Sequence, residues 1–160
     1  MKKLKLYIET SAWNFVLAED APEKMAITKE FFEQVTRGAY EIYASEVVIA
    51  EINLSPEGIK AKLLALINKH KPVMLDLTDE AERLADTYIE RKIIPDKKTE
   101  DAMHVAIATL EELDAVVTWN YKHLANIRKS ELFFSVNLSL GFHKKVEIIT
   151  PWEVVGYVES

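Results

Sequence analysis

Short apolar strands alternate with amphipathic helices along this chain, a pattern that predicts an α/β fold with a short, mostly parallel central sheet. Two further observations favour a three-layer α/β/α sandwich. The predicted helices outnumber the strands, and the strands are continuous apolar runs, which are typical of strands covered on both faces. A length of 160 residues without an internal repeat or linker predicts a single domain over residues 1–160.

The elements of the first half follow from apolar periodicity and from residues that begin or end helices. Gly38 ends the first long helix, and Pro56 occupies the first turn of a later one. Ser45 and Thr78 each offer a side-chain oxygen that can cap a helix. The elements predicted here are a strand over 4–8, a helix over 21–37, a strand over 41–44, a helix after Ser45, a helix from Pro56 to about 69, a strand over 72–75 and a helix from Thr78 to about 92.

The second half continues the alternation. Thr99 is the predicted cap of its long helix. Thr150-Pro151-Trp152-Glu153 has the form of a capping box with proline in the first helical turn, so a last helix follows it. The elements predicted between them are a helix over 100–113, a strand over 115–118, short helices after Asn120 and Ser130, and a strand over 146–149. In parallel sheets, sites form at the carboxyl ends of the strands, so chemistry is expected there.

Composition limits the classes of function. The formal net charge is −6, whereas proteins that hold nucleic acid over a broad face are usually basic. Any nucleic-acid contact is therefore expected to be local, or the acidic excess is expected to lie in a metal site. The absence of cysteine excludes disulfides, thiolate zinc sites and cysteine nucleophiles, and it fits a cytoplasmic protein. No apolar run approaches the roughly 18 residues of a membrane span, and the first residues have the pattern of a strand rather than a signal peptide.

Four polar residues carry the chemical interpretation. Glu9 and Asn120 directly follow strands, Asp101 lies in the first turn of a helix, and Glu51 lies in a helix that is apolar nearly all round. A helix dipole explains Asp101 and a turn explains Asn120, but a buried carboxylate such as Glu51 is costly unless it is paired or bound to a cation. If the three acids meet, oxygen ligands favour Mg²⁺ or Mn²⁺ over zinc. Such sites activate water and neutralise a scissile phosphate.

Four segments, taken in order, resemble the motifs of the PIN-domain family. They are Tyr7-Ile-Glu-Thr-Ser-Ala-Trp-Asn14, Ser45-Glu-Val-Val-Ile-Ala-Glu51-Ile, Thr99-Glu-Asp-Ala-Met-His-Val-Ala-Ile-Ala108 and Asp114-Ala-Val-Val-Thr-Trp-Asn120. Ile148-Ile-Thr-Pro-Trp-Glu153 is similar to the last strand and helix of these proteins, so the resemblance covers essentially the whole chain. It implies a metal-dependent endoribonuclease, often the VapC-like toxin of a toxin–antitoxin pair. The implied partners are an RNA substrate, a small antitoxin protein and a second copy of the chain.

Carried over by position, the resemblance implies that Glu9, Glu51 and Asp101 are metal ligands and that Asn120 occupies the fourth catalytic position. The chain departs from the family's pattern at two of these positions, because Glu9 and Asn120 stand where the family usually has Asp. The residues that would shape or support the site are Thr10, Ser11, Thr118 and His104. His104 follows Asp101 by three residues on the same helix face, which is compatible with a transition-metal pair or with a core histidine beside the ligands.

The departure at Asn120 keeps a second interpretation open, a PIN-like binding or regulatory module without nuclease activity. A phosphoacceptor signalling domain is a further alternative, because Asp76 and Thr118 both end strands. Such a domain needs an acidic pair after the first strand, and this chain has the single Glu9. Haloacid-dehalogenase chemistry needs Asp-x-Asp at the same place, which Glu9-Thr10-Ser11 lacks.

Basic and aromatic residues flank the acidic motifs. The basic ones can be solvated loop residues or can attract phosphate. The aromatic ones can be core residues, although an exposed ring could stack on a base. The residues concerned are Lys97, Lys98, Lys122, His123, Arg128 and Lys129, and the rings of Trp13, Phe15, Trp119 and Tyr121.

Overall fold

Five parallel strands form the central sheet of the protein. A computed structural model describes residues 2–159, with side chains described as far as residue 157. The strands are β1 (Leu4–Ile8), β2 (Tyr40–Ser45), β3 (Val73–Leu75), β4 (Ala115–Val117) and β5 (Glu147–Ile149). Their order in the sheet is β3-β2-β1-β4-β5, so β1 is the central strand. The chain thus builds one half of the sheet first and then crosses β1 to build the other.

Helices connect every pair of consecutive strands. Those described are α1 (Thr10–Asn14), α2 (Pro22–Thr36), α3 (Glu46–Asn53), α4 (Glu57–His70), α5 (Asp79–Glu90), α6 (Thr99–Leu110), α7 (Ile127–Ser139) and α8 (Pro151–Glu159). A single 3₁₀ turn, Phe15–Leu17, follows α1. Within the described range, none of the helices has the length and hydrophobicity that crossing a membrane requires.

The register of β1 and β2 shows that helices cover both faces of the sheet. Tyr40 pairs with Leu4, and its hydroxyl donates a hydrogen bond to the carbonyl oxygen of Val154 in α8. Tyr7 lies three residues after Leu4 and therefore points to the opposite face. There its hydroxyl contacts His104 of α6. The three-layer α/β/α arrangement predicted from the sequence is confirmed.

The centre of the sheet is the most deeply buried part of the fold. Leu6, Ile8, Val116 and Val117 have no exposed surface, whereas Val73 in the edge strand β3 is exposed. Each fully buried side chain of this kind stabilises a fold by about 1.5–3 kcal/mol. The residues that directly follow β1 and β4 are therefore attached to the most firmly held strands.

Two helix caps agree with the sequence prediction, whereas three predicted helix starts do not. Ser45 and Thr78 accept hydrogen bonds from the backbone N–H groups of α3 and α5, as predicted. Thr99 does not cap α6, because its hydroxyl donates to the carbonyl oxygen of Asp96 and Lys98 occupies the cap position. No helix directly follows Asn120, and the helix predicted after Ser130 begins earlier than predicted. A single helix, α7, begins at residue 127, since Asn126 caps it by accepting from the N–H of Lys129.

Candidate metal centre

Glu9 is anchored at the carboxyl end of β1 through one of its two carboxylate oxygens. Its Oε1 accepts hydrogen bonds from the Ser11 hydroxyl at 2.5 Å and the Thr118 hydroxyl at 2.6 Å. The backbone N–H of Ser11 adds a third, at 3.2 Å. Three donors on one oxygen fix the carboxylate and leave Oε2 directed toward His104, 3.9 Å from its Nε2. Glu9 therefore presents one oxygen to the rest of the site.

Ser11 and Thr118 also join the two central strands at this edge. The Ser11 hydroxyl oxygen accepts from the N–H of Trp119 at 2.8 Å, and the Thr118 hydroxyl oxygen accepts from the N–H of Asn120 at 3.0 Å. The two hydroxyls lie 3.2 Å apart. The turn that follows β4 is thus tied to the turn that follows β1, which places Asn120 beside the acidic residues.

Glu51 reaches the same site from α3. Its Oε1 accepts from the Thr10 hydroxyl at 2.6 Å and lies 2.6 Å from Nε2 of His104. The side chain is 28% exposed, so solvent reaches it. Burial raises the pKa of Glu51, but the hydrogen bond and charge of His104, together with the Thr10 hydroxyl, outweigh burial and lower it below its ordinary value. Glu51 is therefore ionised and held from two sides.

His104 is fully buried and occupies the middle of a hydrogen-bonded chain. Its Nδ1 lies 2.6 Å from the Tyr7 hydroxyl, which lies 2.7 Å from the Ser45 hydroxyl. The Ser45 oxygen also accepts from the N–H of Val47 at the start of α3. The chain therefore connects β1, β2, α3 and α6, and it orients the imidazole so that Nε2 faces Glu51.

The acids around His104 determine its charge. Burial lowers the pKa of the imidazole, but the hydrogen bond to Glu51 and the negative charges of Glu9, Glu51 and Asp101 outweigh burial and raise it. A neutral imidazole can offer the lone pair of its Nε2 to a metal, whereas a protonated one places a single positive charge among three carboxylates. One positive charge offsets them only in part.

Asp101 shows that the charges are not balanced. It is buried, and burial together with the charges of Glu9 and Glu51 raises its pKa to about 6, although His104 and Lys98 act in the opposite direction. Its Oδ2 accepts a hydrogen bond from the Asn120 side-chain amide at 3.2 Å. The Asn120 amide oxygen in turn accepts from the N–H of His123 at 3.0 Å. Asn120 therefore supports Asp101 with a donor and adds no charge.

The donor set fits a divalent cation. Glu9, Glu51 and His104 each offer one ligand atom, and these atoms all lie within 4.8 Å of one another. Atoms that share an ion at 2.0–2.6 Å are separated by at most about 5 Å. Asp101 does not belong to this trio, but it lies close enough for the charges of Glu9 and Glu51 to raise its pKa. The oxygen-rich composition suits Mg²⁺ or Mn²⁺.

Comparison with known proteins identifies the fold. No family model and no curated protein sequence matches the chain. Among solved structures, Mycobacterium tuberculosis VapC20, described as a toxin that cleaves the sarcin–ricin loop, is 12% identical with a TM-score of 0.55, over 74% of this chain and 92% of that chain. VapBC2 from Rickettsia felis, bound to a DNA fragment from its promoter, is 16% identical with a TM-score of 0.56, over 91% of this chain and 98% of that chain. The fold is PIN-like, of the VapC type.

Sequence reasoning missed part of the site that this PIN-like fold builds. Tyr7 received no role, and Ser45 was assigned only a helix cap. Tyr7 precedes Glu9 by two residues, so alternation along β1 places both side chains on one face of the sheet. This two-residue spacing is the feature of the sequence from which the position of Tyr7 beside the site could be predicted. His104 was assigned a supporting position, and the structure places it between Tyr7 and Glu51.

Proposed function

We propose that this chain is a metal-dependent endoribonuclease in which Glu9, Glu51 and Asp101 bind Mg²⁺ or Mn²⁺. The observation that carries the proposal is the convergence of these acids from β1, α3 and α6, where burial and repulsion raise the pKa of Asp101 to about 6. Buried acids that raise one another's pKa destabilise a fold, and they are characteristic of functional sites. A divalent cation would offset their repulsion.

When bound, the cation would neutralise charge on the scissile phosphate and make a water molecule acidic near neutral pH. The residues of the chain determine where that happens. Ser11 and Thr118 hold one oxygen of Glu9 and leave the other available. Thr10 holds Glu51. Because these contacts exist before substrate arrives, the carboxylates need little reorganisation for the reaction.

His104 acts on Glu51 in this proposal as a positioning residue. Its Nε2 faces the Glu51 carboxylate, and its Nδ1 is held by the Tyr7 hydroxyl. Burial raises the pKa of Tyr7, so its hydroxyl stays protonated and keeps its capacity to donate. An imidazole fixed from both sides holds one carboxylate oxygen and leaves the remaining one for a cation.

Asn120 makes the free protein suited to one moderately bound ion. Its amide donates to Asp101 but brings no negative charge, so the site has three carboxylates rather than four. A second ion, where the reaction uses one, would arrive with the substrate phosphate, as Mg²⁺ commonly does. The same residue favours the second candidate function, a PIN-like binding or regulatory module without nuclease activity.

The wider proposal is the toxin of a toxin–antitoxin pair: a single cytoplasmic domain over residues 1–160 that forms a homodimer, cleaves RNA and is bound by a small antitoxin protein. Support comes from the shared fold with VapC20, described as a toxin, and with VapBC2. Because the likeness extends to fold alone, the RNA target has to be found by experiment.

Cleavage of single-stranded and structured RNA in Mn²⁺ tests the proposal, with Glu9→Gln as the site variant and Glu90→Gln as its matched control. Glu90 is an exposed residue at the end of α5. We expect Glu9→Gln to lose at least about 100-fold in rate, as expected when charge stabilisation in a site is removed, and Glu90→Gln to cut like the wild type. Activity that persists in excess EDTA contradicts the metal mechanism. RNA binding without any cleavage supports the binding module instead.

A further inference from the structure

Three aromatic rings surround the ammonium group of Lys24. Its Nζ lies 5.5 Å from the ring centroids of Phe15 and Trp119 and 5.3 Å from that of Tyr121. Contacts of this kind hold a lysine through the negative faces of the rings without neutralising it. Across the described residues, Lys24 takes part in no ion pair. Its charge is therefore positioned and available to an anion.

Hydrogen bonds to α2 fix this lysine–aromatic cluster, defined here as Phe15, Lys24, Trp119 and Tyr121. The indole N–H of Trp119 donates to the Thr28 hydroxyl at 2.9 Å, and that hydroxyl donates to the carbonyl oxygen of Lys24 at 2.6 Å. Trp119 is buried, with 4% of its surface exposed, whereas Tyr121 is 48% exposed. The cluster thus has a rigid base and one accessible ring.

The cluster adjoins the candidate metal centre. The backbone N–H of Trp119 donates to the Ser11 hydroxyl, which itself donates to Glu9. Tyr121 follows directly after Asn120. The turn that carries two rings of the cluster is therefore the same turn that is tied to Glu9 and that carries Asn120.

An available ammonium beside an exposed aromatic ring is the combination that binds single-stranded nucleic acid, with phosphate on the cation and a base on the ring. The overall charge of −6 makes such a local contact necessary, because the chain has no excess of positive charge with which to hold a backbone. We propose that Lys24 and Tyr121 form a subsite for a nucleotide flanking the scissile phosphate of single-stranded RNA. The inference rests on the proposed ribonuclease function and adds the position of the RNA strand on the protein.

In this subsite Lys24 contacts the phosphate and the Tyr121 ring stacks on the base. Trp119 and Phe15 hold these two groups in place and do not contact the strand. Stacking makes no hydrogen bonds to base edges, so the subsite is expected to accept any base.

Fluorescence anisotropy with a short, labelled, single-stranded oligoribonucleotide of mixed sequence tests the subsite, in EDTA so that no strand is cut. The variants are Lys24→Gln and Tyr121→Leu. The matched control for Lys24→Gln is Lys29→Gln, at an exposed lysine on the same helix. The matched control for Tyr121→Leu is Tyr157→Leu, at an exposed tyrosine near Leu4 and Asp114, where the strands have their amino ends. Thermal melts establish that all four variants fold.

We expect Lys24→Gln and Tyr121→Leu each to weaken binding about fivefold or more, and the controls to bind like the wild type. Lys24→Gln should also reduce the salt dependence of binding by about 0.7 in the slope of log K against log salt, the value for one phosphate contact on a single strand. On an abasic strand of equal length, the Lys24 effect should remain and the Tyr121 effect should disappear.

Three outcomes overturn the inference in distinguishable ways. A wild type that binds RNA while Lys24→Gln and Tyr121→Leu match their controls removes the subsite and leaves the ribonuclease proposal intact. A Tyr121→Leu effect that is as large on the abasic strand as on RNA excludes stacking. A wild type that neither binds nor cuts RNA overturns the proposed function itself, and the subsite with it.

Discussion

The two ends of the sheet contain aspartates with opposite electrostatic surroundings. At the amino end of β4, Asp114 accepts hydrogen bonds from the N–H of Lys5 and from the Lys144 ammonium, both at 2.8 Å. Burial raises the pKa of Asp114, but these two lysines outweigh it and lower the pKa. At the carboxyl end, burial and the charge of Glu9 raise the pKa of Asp101 to about 6. Asp114 is paired with the Lys144 ammonium, whereas Asp101 lies beside other acids.

This difference separates an acid that stabilises the fold from one that the fold holds at a cost. An aspartate with a purely structural role could be paired with a cation, as Asp114 is paired with Lys144. Asp101 instead shares a buried site with two more carboxylates and a single histidine. Unbalanced buried acids of this kind are characteristic of functional sites, and they support the metal site proposed above.

The largest expected difference between the two ends is in catalysis. Asp101→Asn should lower the rate of RNA cleavage in Mn²⁺ by about 100-fold or more, because it removes a ligand charge, whereas Asp114→Asn should cut like the wild type. Initial rates at saturating RNA measure both. An equal loss in a correctly folded Asp114→Asn protein would mean that the acidic cluster has no special part in the reaction.

The second difference is in stability without metal, and its sign is opposite at the two ends. The folded pKa of Asp101 lies above its ordinary value of 3.8, so the ionised form destabilises the fold. That cost is absent below about pH 4 and complete above about pH 7. Asp101→Asn should therefore be more stable than the wild type in EDTA at pH 7.5, by about 2 kcal/mol after solvent screening, and equal to it near pH 4.

Asp114→Asn should be less stable than the wild type at pH 7.5, by less than about 1 kcal/mol, because the ion pair with Lys144 is largely solvated. The stabilisation by Asp114 is present above about pH 4 and is lost as the pH falls through its lowered pKa. Urea unfolding between about pH 2 and pH 8 measures both variants, since the loss of the Asp114 contribution falls below its ordinary pKa. Adding Mn²⁺ should raise the melting temperature of the wild type but not of Asp101→Asn. An Asp101→Asn protein that is less stable than the wild type in EDTA would show that Asp101 is a structural residue.

The smallest expected effect concerns Asn120. Asn120→Asp replaces the amide that donates to Asp101 with a fourth carboxylate. The added repulsion should lower stability in EDTA, while Mn²⁺ should bind a few-fold more tightly and RNA should be cut a few-fold faster at low metal concentration. Calorimetric titration with Mn²⁺ measures the binding.

Asn68→Asp is the matched control for Asn120→Asp. It adds the same charge at an exposed position on α4, away from the turn that carries Asn120. If Asn120→Asp binds no more metal than this control and cuts no faster, position 120 does not face the cation.

The sequence predicts the sheet and the positions of the acidic residues because both depend on local patterns. Apolar runs mark the strands, and Glu9 follows one of them directly. The contacts that organise the site are not local: His104 lies 97 residues from Tyr7 and 53 from Glu51. The raised pKa of Asp101 depends on burial and on charges from other elements, so no motif can reveal it. The predicted cap of α6 is wrong for a related reason, because the Thr99 hydroxyl donates to the carbonyl oxygen of Asp96 instead of capping the helix.

The central position of β1 has a consequence for the synthesis of the chain. Thr118, which holds Glu9, lies 109 residues after it, and β4 cannot pair with β1 until that part of the chain exists. At about 5–20 residues per second, a ribosome takes on the order of 5–20 s to supply the missing strand. During that time one edge of β1 is open to pairing with other chains, and the acidic site is incomplete. If the protein cuts RNA, the nascent chain is harmless to its own messenger until translation has passed β4.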